Sequence, residues 1–354
     1  MIFDCCWMDI EILDADLREQ LKQSVGKPSF PLMRQHLATL QAERNERRQR
    51  RAAMTASRRR RDTARELFEK TPRTLDEDRY HLHSVLALCG LPYKRPKDDR
   101  LDYIREYGRN SLVVQPGYLK DPETGRMVRQ GIPYGPKARL LLLHICTSAL
   151  RQGSHEIDIA DSMSAFIREM GFAVTGGKRG TITQFKEQLN RLAAARMQIG
   201  LWNGEHARTV NSQPIESFDI WLPNDPSQKV LWNSSLTLNR EFYASLKEHA
   251  LPVDIRALRA FSQSARQIDI ILWLAYRLRN LERPYKLAWR TVRDQFGTHI
   301  AEPRFFRRDF AEDIRKIQEV FPQIPLRLTA HGVELHPCDM TRLFTAVRRL
   351  SSAA

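Results

Sequence analysis

The sequence lacks any apolar run long enough to cross a lipid bilayer. Its longest apolar stretches, residues 140–145 and 268–276, are flanked by arginine. Both fall far short of the roughly 20 residues that a transmembrane helix needs. They therefore predict buried helices, and we expect no membrane partner.

Cysteine is also scarce. The chain has 5 cysteines, an odd number, and none of them forms a CxxC pair, so neither a disulfide framework nor a zinc site is indicated. The first residues, 1–7, lack the basic segment and the long apolar core of a secretory signal. We therefore expect a cytoplasmic protein from a reducing compartment.

Negative charge is in deficit. The chain carries 57 Lys and Arg against 42 Asp and Glu, which gives a formal net charge of +15. Such a surplus raises the affinity of a protein for polyanions. It makes nucleic acid the leading candidate partner.

Glycine and proline are absent from residues 32–70, where arginine is dense. Before this stretch, residues 10–25 have a modest helical pattern that Pro28 and Pro31 interrupt. No heptad continues through the arginines, so residues 1–75 predict a basic helical or partly disordered N-terminal extension rather than a coiled coil. Two roles stay open for it, an arm that follows DNA phosphates and a merely soluble charged helix. The arginines concerned are Arg44, Arg47, Arg48, Arg50, Arg51 and Arg58 to Arg61.

The most informative segment is residues 176–202. A basic glycine-rich loop, residues 176–180, leads into a predicted helix over 181–195, and alternating strand residues follow at 197–202. Thr181 and Gln184 have the spacing of a capping box. The predicted buried stripe consists of Ile182, Phe185, Leu189 and Leu192. The predicted exposed face consists of Thr183, Gln184, Glu187, Asn190 and Arg191, with Lys186 at its border.

This order is typical of a winged helix that presents its third helix to DNA. A helix N-terminus favours a phosphate, and an exposed polar face can meet base edges in the major groove. A solvated amphipathic helix without a ligand is the alternative. Upstream, the pattern predicts helices over 78–90, 136–151 and 162–170, the last ending at Gly171. Predicted strands cover 112–114, 127–128, 197–202, 217–222 and 230–232.

The same order recurs further along the chain. Predicted helices cover 265–281, 287–296, which Gly297 closes, and 302–321, whose first turn holds Pro303. On the third helix the buried stripe faces away from Arg304, Arg308 and Arg315, and Arg307 flanks them. A hairpin of residues 326–329 and 333–335 follows. The predicted stripe is Phe306, Phe310, Ile314, Ile317 and Phe321.

The sequence therefore predicts a mainly α fold with small β-hairpins (α+β). After the extension, tandem winged-helix domains cover residues 76–235 and 236–345, and a tail covers 346–354.

Catalytic patterns are weak. In residues 175–180 Gly-Lys is followed by Arg, and no apolar strand precedes it, so a phosphate-binding loop is not indicated. His81 and His83 would share a face on a strand, as the metal ligands of rolling-circle nickases do, but on the predicted helix they diverge by about 200°. No other nucleophile, carboxylate pair or ligand set stands out. We expect a binding protein and no enzyme, metal or cofactor.

Five runs of the sequence resemble the plasmid replication initiators of the RepA C-terminal-domain family. They are residues 131–140, 161–166, 176–182, 252–258 and 269–278, and they occur in the order of the family. The resemblance covers residues 78–340. It implies a bacterial, plasmid-borne initiator that binds repeated duplex sites at its origin and helps load the host replication machinery. Its partners would be host replication initiation proteins and helicase-loading proteins. It also implies paired winged helices and a shift between dimers and origin-binding monomers.

The resulting DNA-binding candidates form three groups. Phosphate contacts are expected from Lys178, Arg179, Arg307 and the N-terminal arginines. The base-edge candidates are Thr183, Gln184, Lys186, Glu187, Arg304 and Arg308, and the remaining contact candidates are Thr181, Asn190, Arg191 and Arg315.

Two rival functions remain, a rolling-circle nickase that uses His81, His83 and a tyrosine, and a winged-helix transcriptional regulator.

Overall fold

A computed structural model describes residues 12–53, 79–121, 124–158, 160–177, 179–202, 204–218, 235–279, 281–297, 300 and 302–339. The chain divides into two compact units, Met1–Asp62 and Thr63–Ala354. The boundary predicted at 75/76 lies outside the described residues. The boundary predicted at 235/236 falls inside the second unit and stays a prediction.

The first unit contains two helices, α1 (Ala15–Ser24) and α2 (Phe30–Ala53). They fold back on each other, and the side chain of Gln41 accepts hydrogen bonds from the backbone N–H groups of Leu13 and Asp14 at 3.0 and 2.9 Å. Leu17 and Leu37 are fully buried. The described part of the extension is therefore helical, and its two helices form a hairpin with buried leucines instead of being fully solvated.

Two arginines of the predicted arm are engaged within this hairpin. Arg44 bonds the carboxylates of Asp14 and Asp16 at 2.9 and 3.0 Å, and Arg48 bonds Asp14 at 2.7 Å. Asp14 and Asp16 lie at the N-terminal end of α1, where negative charge is favourable. Arg58 to Arg61 lie outside the described residues.

The second unit combines helices with short antiparallel strands. In chain order its elements are β1 (Arg79–His83), α3 (Ser84–Leu88), β2 (Tyr103–Tyr107), β3 (Asn110–Gln115), β4 (Tyr118–Lys120), β5 (Met127–Arg129), α4 (Gly135–Gln152), β6 (Glu156–Asp158), α5 (Ala160–Glu169), α6 (Thr181–Ala194), β7 (Arg196–Trp202), β8 (Ala207–Ser212), β9 (Ile215–Phe218), β10 (Ser235–Leu238), α7 (Arg240–His249), β11 (Ala250–Asp254), α8 (Ile255–Ala260), α9 (Ala265–Leu278), β12 (Tyr285–Ala288), α10 (Trp289–Phe296), α11 (Pro303–Val320), β13 (Leu326–Leu328) and β14 (Gly332–Leu335).

Six predicted helices are confirmed close to their expected bounds, as α4, α5, α6, α9, α10 and α11. Their apolar stripes face the core as expected. Gly171 follows α5 with a φ of 80°, the left-handed conformation of a C-terminal cap. Pro303 occupies the first turn of α11, where its missing N–H has no intrahelical partner to lose.

The helix predicted over 78–90 is wrong. Residues Arg79–His83 form β1, which pairs antiparallel with β11 so that His83 lies opposite Ala250. Only Ser84–Leu88 is helical. Leu82 and Val85, which fall within the predicted helix, are buried all the same.

One order of elements occurs twice. A long helix, a strand, two helices and two strands follow one another as α4, β6, α5, α6, β9 and β10, and again as α9, β12, α10, α11, β13 and β14. In both cases the last strand lies between the other two, giving the sheets β6-β10-β9 and β12-β14-β13. We call these six-element segments the first and second repeats.

An inserted hairpin distinguishes the first repeat. Residues 197–202 form a strand as predicted, but β7 and β8 join β2 and β3 in a separate sheet of order β2-β3-β7-β8. The first-repeat hairpin is β9 with β10, and the strand predicted over 230–232 lies outside the described residues. The fold is thus mixed helix and strand with small antiparallel sheets, and it has more strands than the sequence predicted.

The helices that open the repeats, α4 and α9, lie in the core. Leu140, Leu141, Ile271 and Trp273 are fully buried there. Within the residues that the structure describes, no helix combines the length and apolarity needed to span a bilayer.

A buried ion pair joins the two core helices. Nε of Arg139 on α4 donates to Asp269 of α9 at 2.6 Å, and a second guanidinium nitrogen donates to the same carboxylate at 2.8 Å. Gly90 passes so close to this carboxylate that a Cβ at position 90 would collide with it. The pair therefore sits in a closely packed joint between the repeats.

Candidate nucleic-acid interface

The loop before α6 is folded onto the start of that helix. Gly180 is the N-cap and offers no side chain, so the predicted capping box of Thr181 and Gln184 is wrong. Thr175 does the capping instead. Its hydroxyl oxygen accepts from the N–H of Thr181 at 3.0 Å, and its carbonyl accepts from the N–H of Ile182 at 3.2 Å.

Two predicted base-reading residues support this loop. Thr183 donates through Oγ1 to the carbonyl of Gly177 at 2.8 Å, and Gln184 donates through Nε2 to the carbonyl of Arg179 at 3.0 Å. Both residues are exposed. Their hydrogen bonds hold the basic loop in place, so in this structure they orient backbone rather than project freely.

The rest of the predicted α6 face is partly covered. Thr181, Lys186 and Asn190 are half-buried, whereas Arg179 and Glu187 are exposed. Burial lowers the pKa of the Lys186 ammonium below its ordinary value. Lys178 lies outside the described residues. The exposed polar surface of α6 is therefore narrower than the helical pattern predicts.

Arg191 is a clear correction to the predicted exposed face. Its side chain is buried, 6 % exposed, and it bonds Asp99 at 2.8 Å, Glu187 at 3.1 Å and the carbonyl of Ile132 at 3.1 Å. Arg191 also holds the pKa of the Asp99 carboxyl below its ordinary value. The segment around Asp99 covers this part of α6, so Arg191 ties the helix to the protein and is not available to DNA.

The first turns of α11 carry three arginines. Arg304, Arg307 and Arg308 are all exposed. The guanidinium of Arg307 lies over the ring of Trp289 at 5.7 Å, and Arg308 pairs with Asp309 at 2.9 Å. These three side chains occupy the end of the helix whose dipole is positive, so charge and dipole add there.

Arg315, further along α11, is engaged by acidic neighbours. It bonds Glu312 at 2.8 Å and also contacts Glu319. The hydrogen bond from Arg315, together with Lys316, lowers the pKa of Glu312 to about 2. This part of the helix is an intrahelical ion network, so its net positive field is weaker than that of the first turns.

Buried polar contacts fix the orientation of α11. Asp313 accepts from Nε2 of Gln267 at 2.8 Å and from Arg266, both on α9. At the other end, Gly297 lies so close to the ring of Phe306 that a Cβ would collide with it. The helix is therefore held at both ends, with its arginine-bearing turns directed outward.

Sequence reasoning missed Phe305, which lies among these arginines and is 41 % exposed. Its guanidinium neighbours are Arg304 at 4.8 Å and Arg308 at 5.3 Å from the ring centroid. The sequence does indicate this exposure. Position 305 is one residue from Phe306, where the buried stripe begins, so on a helix it points about 100° away from that stripe.

The histidines of the nickase alternative do share a strand, but His83 is committed to the fold. Its Nδ1 accepts from the N–H of Val85 at 3.2 Å, and its Nε2 lies 3.1 Å from Oγ of Ser245. Burial lowers its pKa to about 3. Within the described ranges, no group of three or more His, Cys, Asp or Glu side chains could hold a metal ion.

Residues 132–294 match the protein family described as plasmid encoded RepA protein. The chain has no match among curated proteins. Solved structures that the chain matches include domains 2 and 3 of RctB, at 9 % identity and a TM-score of 0.44 over 69 % of this chain and 88 % of that one. A second structure of RctB domains 2–3 gives 10 % identity and a TM-score of 0.47 over 73 % and 98 %. The family match lies within residues 78–340, the segment whose runs resemble the RepA C-terminal-domain family, and it confirms that resemblance over residues 132–294.

Proposed function

We propose that this chain binds repeated duplex sites at a plasmid origin through two winged helices and recruits host replication machinery there. Host initiation and helicase-loading proteins are the expected partners. A shift between dimer and monomer would accompany binding. The chain performs no covalent chemistry of its own.

The repeated order of elements carries this proposal. A helix, a strand, two helices and a two-stranded hairpin, with the final strand in the middle of the sheet, are the parts of a winged helix. In such a motif the third helix enters the major groove and its N-terminal residues reach base edges. The third helices here are α6 and α11, and both start with basic residues at or just before the first turn.

Charge supports α11 as the stronger DNA contact. Arg304, Arg307 and Arg308 are exposed and lie within two turns of its start. On α6, Arg179 is exposed, whereas Arg191 is buried in an ion pair. We therefore assign phosphate and base contacts to the three arginines of α11, and phosphate contacts to Arg179 with the loop that Thr183 and Gln184 support.

Charge reversal tests this assignment. Arg179→Glu and, separately, Arg308→Glu should each weaken binding to duplexes that the wild-type chain selects from a random library, by roughly 1–3 kcal/mol. Each should also flatten the dependence of log affinity on log salt by about 0.9 per lost phosphate contact. Arg240→Glu, the same charge change at an exposed position on α7, serves as the control. Wild-type affinity for either helix variant would remove that helix from the interface.

Two further measurements separate the rival functions. A plasmid that carries only this gene and its flanking DNA should replicate, which a transcriptional regulator alone would not support. Supercoiled plasmid of the same sequence, incubated with the chain and Mg²⁺ or Mn²⁺, should stay unnicked. Strand scission that depends on His83 would replace the proposal by the nickase function.

A further inference from the structure

Phe305 is an exposed aromatic ring on a helix whose other phenylalanines are buried. Phe306 and Phe310 are 1 % and 0 % exposed, whereas Phe305 is 41 % exposed. The ring lies in the first turn of α11. It does not belong to the buried stripe of that helix, which begins at Phe306. A single exposed apolar side chain is ordinary on a protein surface, so the case for a ligand depends on what surrounds this ring.

The surroundings of the ring are cationic. The guanidinium groups of Arg304 and Arg308 lie 4.8 and 5.3 Å from its centroid, within the range of a cation–π contact. Arg307 completes the basic surface beside it. The turn thus presents one apolar spot surrounded by positive charge, which complements a ligand that is anionic overall and has an apolar group at its centre.

The major groove of DNA offers this combination at thymine. Each thymine places a C5-methyl group at the groove surface between two rows of phosphates, and phenylalanine is one of the side chains that contact it. The N-terminal residues of a recognition helix are those that reach base edges, and Phe305 is the third residue of α11.

We propose that Phe305 is a specificity-determining residue that contacts a thymine methyl group at the binding site. The proposal rests on the proposed function, in which α11 enters the major groove. The arginine stacking holds the ring in place. Two nitrogens of Arg308 donate to Asp309, and the remaining guanidinium donors at the rim of the ring bond neighbouring phosphates or guanine. Thymine preference at one position of each site then comes from the phenyl ring and not from a hydrogen bond.

Deoxyuridine substitution isolates the methyl group, because uracil differs from thymine only by its absence. Duplexes that the wild-type chain selects from a random library are synthesised with one thymine at a time replaced by deoxyuridine. We expect one position per site where wild-type affinity falls about fourfold, the factor that corresponds to losing burial of one carbon. Phe305→Ala should bind the unmodified duplex less tightly and be indifferent to the replacement at that position.

Two further variants serve as controls. Phe305→Leu keeps an apolar contact and should retain part of the sensitivity. Tyr118→Ala removes another exposed aromatic ring, one that Arg129 stacks on at 5.8 Å, and should respond to deoxyuridine as the wild type does. Circular dichroism of each variant checks that it is folded.

The outcomes are distinguishable. If the wild type selects no duplex, the proposed DNA-binding function fails and this inference fails with it. If the wild type binds but Phe305→Ala keeps the full sensitivity at every thymine, the proposed function stands and the methyl contact is refuted.

Discussion

The buried pair of Arg139 and Asp269 predicts an unequal response to its two single substitutions. Asp269→Leu leaves a guanidinium that is 4 % exposed and cannot lose its proton. The carbonyls of Pro92 and Gly135 still accept from it at 3.1 and 2.9 Å, but they carry no full negative charge. We expect the free energy of unfolding to fall by about 3–5 kcal/mol, the cost of breaking a buried ion pair.

Arg139→Met leaves a carboxyl group that can neutralise itself by binding a proton. Burial raises the pKa of Asp269 above its ordinary value, and Arg139 opposes this effect. Removing Arg139 therefore lets burial raise the pKa further above its unfolded value. A group with a raised folded-state pKa contributes its full stability below the unfolded pKa and loses it as the pH rises through the folded pKa. The loss in this variant should therefore be smaller at pH 5 than at pH 8, by about 1.4 kcal/mol for each pKa unit spanned.

The double variant Arg139→Met/Asp269→Leu removes both charges and should recover most of the lost stability. Urea unfolding of the full chain, followed by circular dichroism and tryptophan fluorescence at both pH values, measures all four proteins. Strict additivity of the two single losses, or a loss below about 1 kcal/mol for Asp269→Leu, would refute the view that this pair is a coupled, desolvated joint.

Two further predictions concern the α6 region. Thr175→Val removes the acceptor for the Thr181 N–H and should lower stability by about 1 kcal/mol, as loss of a helix cap does; an unchanged thermal midpoint would contradict the capping role. Arg191→Met should lower stability by about 1–3 kcal/mol because Asp99 loses its main partner, yet the salt dependence of DNA binding should match that of the wild type. A flatter salt slope for Arg191→Met would return this arginine to the interface.

Local patterns in the sequence were sufficient for the long helices. The stripe at 306, 310, 314 and 317 determines both the presence of α11 and its buried face, because neighbours three and four residues apart meet on one side of a helix. Proline in the first turn marks where it begins. The outward arginines of its first turns follow from the same periodicity, so this half of the candidate site was predictable.

Pairing between distant segments was not predictable from local pattern. β1 exists because β11 lies beside it, and nothing within residues 78–90 indicates that partner. The predicted exposure of Arg191 was wrong for the same reason. Its position lies on the polar side of the helix, and only the approach of Asp99 from a distant segment buries it. Thr175 caps α6 from six residues upstream of Thr181, beyond the spacing that a capping box tests.

The pairing of β1 with β11 has a consequence for the order of folding. The second repeat uses one continuous stretch of chain, residues 265–335, and its sheet pairs only strands from within that stretch. The hairpin inserted into the first repeat pairs through β7 with β3, which lies upstream of the repeat. β1 and β11 lie before and after the repeat in the sequence and pair with each other from Arg79 to Asp254. Closing such long loops costs entropy before their contacts form, which slows folding. During synthesis β1 therefore has no partner strand until β11 has been made, so this strand pair forms only after all six elements of the first repeat have been synthesised.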